Sequence, residues 1–209
     1  MPDITQFISE PHLLAYQRAL PRIQQDQVAH LAWDSHDESY GVGGNTFRAY
    51  TGWQSSPSRL FRNWACHTSQ TILQTDPSSL DSMEAFEGWH QGLSCSLQQK
   101  WMETQGRGLS VAHKYKLIDL YIKWLTQHSL PDPALGIQFV RFGHCALDRQ
   151  TLAKINAHLS GALPLAKPTM GLIATEETYS LCQAVVREYC VVAGGAPVLF
   201  DYFAWQPGA

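Results

Sequence analysis

The sequence predicts a mostly α, single-domain helical bundle with no more β-structure than a short strand pair. Two observations carry that prediction. Long stretches of the 209-residue chain repeat apolar residues at helical spacing. Ser, Asp, Pro and Gly punctuate those stretches where helices start and stop. Seven Trp, 11% aromatic and 44% hydrophobic content exclude a disordered chain.

The elements follow in order. Residues 9–31 read as a helix through Leu13, Leu14, Leu20, Ile23 and Val28, with Pro21 marking a break or a second start. Residues 34–58 read as irregular, with the glycine cluster Gly41, Gly43 and Gly44 inside them. Ser58 is placed to cap a helix over 59–74. Residues 80–104 read as one or two helices, interrupted by Gly88 and Gly92. Gly106-Arg107-Gly108 is a turn, Ser110 a cap, and 111–127 the strongest helix. Residues 137–142 alternate loosely and read as a short strand or extended loop. Asp148 opens a helix to about residue 159, Pro164 and Pro168 bound a linker, and 175–193 form the last long helix, closed by Gly194-Gly195. The aromatic tail 197–205 packs back on the body, with Tyr202, Phe203 and Trp205 as core residues.

No convincing linker divides the 209 residues, so they form one domain, but charge distinguishes an acidic half (1–104) from a candidate catalytic half (105–209). The net charge is −3, yet residues 1–90 hold five Lys/Arg against ten Asp/Glu and residues 100–167 hold nine against four. A local basic surface on an acidic chain is compatible with a polyanion such as DNA, or is merely solvated charge. No stretch reaches the roughly 18–20 apolar residues of a membrane span. The start, Met1-Pro2-Asp3-Ile4, lacks the basic and apolar regions of a secretory leader, which predicts an intracellular, cytoplasmic protein without disulfides. The five cysteines and nine histidines show neither CxxC nor HExxH spacing, so no metal and no cofactor is expected.

The chemistry-bearing residues lie in the second half. The 111–127 helix is apolar over more than half its circumference, and Lys116, Asp119 and Lys123 share its narrow polar strip. Desolvation and the positive end of the helix dipole both favour a neutral lysine amine, the state that acts as a nucleophile. Lys116 is the first candidate. Lys114, inside the apolar arc, is the reserve. An i, i+3 surface pair between Lys116 and Asp119 is the plainer reading of the same strip. Asp148, at a helix start, is either a simple N-cap or a carboxylate held beside a cleft.

Lys116-Leu-Ile-Asp119 in an apolar helix, followed by Leu147-Asp148-Arg149 opening another, resembles the helix-hairpin-helix DNA glycosylases. The 32-residue separation is similar to that of the archaeal 8-oxoguanine glycosylase branch. The resemblance covers roughly residues 105–160. A Leu-Pro-Gly-Val-Gly hairpin is absent, and Gly106-Arg107-Gly108 stands in the place of a degenerate one. The resemblance implies a DNA glycosylase that excises a modified base, with or without AP-lyase activity, with Lys116 as nucleophile and Asp148 as stabilising carboxylate. It places His144, Arg149, Arg141 and Lys154 as substrate-binding residues. Two other classes stay open: a non-enzymatic helical protein that binds a protein partner, and a metal-dependent hydrolase or nuclease built on His36-Asp37-Glu38.

Overall fold

The computed structural model describes residues 4–34, 37, 39–160 and 168–206. Eight α-helices and one two-stranded parallel sheet are present among them, so the protein is mostly α with a short strand pair. The helices are α1 (Glu10–Gln27), α2 (Pro57–Ile72), α3 (Met83–Gln105), α4 (Val111–Gln127), α5 (Pro133–Phe142), α6 (Arg149–His158), α7 (Glu176–Ala193) and α8 (Pro197–Ala204). The strands are β1 (Leu31–Ala32) and β2 (His128–Ser129), with Leu31 opposite His128.

Local chemistry explains most boundaries. Ser56, rather than Ser58, caps α2, because Pro57 fits the first helical position and the Ser56 hydroxyl accepts from Arg59 N–H. Ser82 and Ser110 cap α3 and α4 in the same way. The positive φ of Gly106 and Gly194 closes α3 and α7. α3 runs unbroken through Gly88 and Gly92, at both of which a Cβ would meet open space. α1 likewise runs through Pro21 without interruption.

Residues 137–142 are helical, contrary to the strand or loop that their alternation predicts. Asp132 caps the segment and Pro133 occupies its first turn, so α5 starts before the alternating stretch and carries through it. Ile137 is 65% exposed while Leu135, Phe139 and Phe142 are buried, a helical rather than a strand pattern. The strand pair forms elsewhere, between the chain leaving α1 and the chain leaving α4.

The buried apolar residues form two clusters. One gathers α1, α6, α7 and α8 around Tyr16, Leu152, Val186, Phe200 and Phe203. The other gathers α2 to α5 around Phe61, Trp101, Leu117, Ile118 and Tyr121. α4 joins them, with Tyr115 in the first cluster and most of its apolar face in the second. All five cysteines are free. No helix among the described residues is long and apolar enough to cross a membrane.

Candidate active site

α4 carries Lys116, Leu120 and Lys123 on one side, as i, i+4 and i+7 spacing dictates. The loop after residue 39 packs onto that side at Gly41. A Cβ at Gly41, where φ is +78°, would stand 2.5 Å from Trp124 Cβ and 2.7 Å from the Leu120 carbonyl oxygen. Only glycine allows this approach. Asp37 shapes the turn upstream by accepting from the Ser39 N–H and hydroxyl and the Tyr40 N–H at 2.6–2.8 Å. Burial raises the Asp37 pKa, but these bonds outweigh it and leave the carboxyl below its usual range.

The opposite wall comes from the other cluster. Loop 143–147 is held at its centre: Gln183 bonds both the N–H and the carbonyl of Cys145, Thr151 donates to the Ala146 carbonyl, and Asp201 accepts from the Ala146 N–H at 2.8 Å. The loop delivers Asp148 to the start of α6, where it completes a capping box with Thr151. Its Oδ1 accepts from Gln150 and Thr151 N–H groups. Its Oδ2 lies 3.8 Å from Lys116 Nζ. Both readings of Asp148 therefore hold at once, one oxygen for each.

Lys116, Lys123, Asp148, Gly41, Asn45, Thr46, Leu120 and Trp205 line a cavity of about 300 Å³. A second cavity of about 310 Å³ shares Gly41, Leu120 and Lys123 with it and adds Gln27, Trp124, Gln127 and Tyr202. Between them the Lys123 amine meets Asp201 Oδ1 at 2.5 Å and sits 4.2 Å over the Tyr202 ring. Burial raises the pKa of Asp201, against the pull of Lys123. The cavities thus present two amines, the Asp148 carboxylate and an aromatic rim where the two clusters meet, with Asp201 buried behind Lys123.

The other sequence candidates scatter. Lys114 is buried and paired with Glu176 at 2.7 Å, so the reserve nucleophile is occupied and does not line the cavity. His144 is 2% exposed, which removes it from direct contact with a phosphate or a base. Its ring bonds Tyr179 at 2.7 Å and Glu87 at 3.0 Å. Burial, with His90 alongside, holds its pKa below the ordinary value. Arg149 is exposed directly beside Asp148. Arg141 is exposed at the end of α5, on the rim of a larger apolar groove. Lys154 lies 4.9 Å over the Phe203 ring, and burial lowers its pKa. His36 and Glu38 lie outside the described residues, and Asp37 is engaged in its turn.

Sequence reasoning missed Gln27, Asp201 and Trp205 as site residues. Trp205, expected in the core, is 50% exposed and lines the cavity. Asp201 did carry a signal, as the one charged residue in an aromatic tail. No family model matches the chain, and neither curated proteins nor solved structures give a match.

Proposed function

We propose that the protein is a DNA glycosylase with lyase activity, acting on a modified base. The observation that carries this reading is the Lys116 amine 3.8 Å from the Asp148 carboxylate, in a cavity shared with a half-exposed tryptophan. Further support is the run of helix α3, a five-residue hairpin and helix α4 that presents Lys116.

In this reading the target nucleotide leaves the stack and its base enters the paired cavities. Trp205, half exposed, offers a face for a planar heterocycle, and Gln27 and Lys123 offer polar contacts at its edge. The Lys116 amine, after losing a proton to solvent, attacks the anomeric carbon. The carbon–nitrogen bond to the base breaks, and the base leaves with that electron pair and takes up a proton. Asp148 stabilises positive charge as it develops on the sugar. Loss of the amine proton and opening of the sugar ring, whose oxygen takes up a proton, give a Schiff base; loss of a C2′ proton to solvent then forms a C2′–C3′ double bond and expels the 3′ phosphate with the electron pair of the broken carbon–oxygen bond. Arg149, beside Asp148, is placed to meet backbone phosphate.

Borohydride reduces a Schiff base to a stable amine. With a duplex carrying a base that the protein excises, 8-oxoguanine being the first to try, it should trap a covalent protein–DNA adduct. A panel of other oxidised, deaminated and alkylated bases covers the rest of the class. No base release and no trapping with any of them would sink the proposal.

A further inference from the structure

We propose that Glu87, His90 and His144 form a binding site for one divalent metal ion of the zinc class, apart from the Lys116–Asp148 cavity. The site does not rest on the glycosylase reading.

Glu87 and His90 stand at i, i+3 on α3 and face the loop that carries His144. One ligand atom from each residue lies within 4.8 Å of the others. Glu87 Oε1 and His144 Nε2 are 3.0 Å apart, and the two imidazole centroids are 4.4 Å apart. With metal–ligand bonds of about 2.1 Å, a tetrahedral edge spans about 3.4 Å, so these atoms close on an ion through side-chain shifts of about 1 Å. Two imidazoles and one carboxylate suit zinc and its transition-metal neighbours better than calcium or magnesium. Glu87 is half-exposed, which gives an ion a way in and leaves room for water to complete the coordination shell.

The groups behind these ligands strengthen the case. His90 Nε2 is 2.9 Å from Asp119, and His144 Nδ1 is 2.7 Å from the Tyr179 hydroxyl. Such outer partners fix tautomers and orient rings in metal sites. Tyr179 in turn lies 3.0 Å from both Asp119 oxygens.

Glu87 Oε1, the oxygen nearest His144 Nε2, also accepts from Arg187 at 3.1 Å, which fixes the orientation of the carboxylate.

The test uses the full-length chain, stripped with a chelator and titrated with zinc chloride by calorimetry, then with cobalt chloride by visible absorption. The expected result is one equivalent bound at micromolar affinity or tighter, with a raised unfolding midpoint. Glu87→Gln and His90→Gln should each weaken zinc binding by about 100-fold. Far-UV circular dichroism checks that both variants fold. Should His90→Gln fail to fold, the half-exposed Glu87→Gln decides alone. Absence of zinc binding, or binding equal in the wild type and a folded variant, overturns the site.

Discussion

Lys116 Nζ lies 3.8 Å from Asp148 Oδ2, while Asp148 Oδ1 caps α6. The two oxygens of one carboxylate thus serve different elements, and substitution separates them. Asn is as good an N-cap as Asp but carries no charge. Asp148→Asn should leave thermal stability nearly unchanged and slow base release by about 100-fold or more. Asp148→Ala should in addition lower stability by about 1 kcal/mol. Lys116→Gln should abolish borohydride trapping. If trapping survives that change and is lost with Lys114→Gln, the nucleophile lies two residues upstream and the Lys114–Glu176 pair must open.

Gly41 sets how closely its loop approaches α4. Gly41→Ala places a methyl group against Trp124 Cβ and the Leu120 carbonyl, at a positive φ that Ala disfavours. We expect a loss of about 1–3 kcal/mol in urea unfolding, with a larger fractional loss of activity than of stability. A fully stable, fully active Gly41→Ala protein would show that the loop is not the cavity wall described.

Lys123 and Asp201 form a pair with 15% and 1% of their side chains exposed. Removing one partner strands a buried charge. Asp201→Leu should therefore destabilise by about 3–5 kcal/mol, and adding Lys123→Met should recover a large part. Recovery is incomplete because the Ala146 N–H still loses its acceptor. Urea unfolding of the two single variants and the double variant measures the coupling. Strictly additive effects would argue against the pair.

His158 predicts a pH dependence. Burial, with His12 and Lys154 nearby, pushes its pKa down to about 3. Its Nε2 has no hydrogen-bond partner among the described residues. The folded value lies below the unfolded one of about 6.5. The contribution is therefore fully present above pH about 6.5 and is lost as pH falls toward 3. His158→Leu should flatten the stability profile below pH about 6.5. His113 and His144 shift in the same direction, so some slope remains. Parallel profiles for wild type and variant would remove His158 as the source. Glu87 adds an acid limb at lower pH. Burial raises its pKa, but His144 and Arg187 outweigh that and hold it at about 2, so its share fades only as pH falls below its unfolded range.

DNA affinity should be modest and steeply salt-dependent. About four phosphate contacts give a log–log slope near −3 to −4 on duplex DNA. Arg149→Ala should reduce the slope by about one. Arg141→Ala, on the rim of the apolar groove, should change it less. Binding indifferent to salt would favour a protein partner instead.

The sequence alone determined most of the long helices and several of their ends. Periodicity and capping are local properties, so α4, α6 and α7 fall close to where Ser110, Asp148 and Gly194 place them. It also determined Lys116 and Asp148 as candidates, because a polar strip on an apolar helix and an acidic cap are visible in a linear string. Residues 137–142 misled because a short apolar alternation carries too few periods to tell strand from helix, and the cap that decides it lies upstream at Asp132. Tertiary structure alone decided which candidates meet. Lys114 and Lys116 differ by two positions in sequence but point to different partners, since 200° of helical rotation separates them. His144 and Asp148 belong to one loop, yet one is sealed beneath α3 and α7 and the other opens on a cavity. Trp205 lines that cavity, and the buried Asp201 anchors Lys123 behind it, because α8 packs among α1, α5, α6 and α7. Convergence of that kind depends on packing between distant segments, which no local pattern encodes.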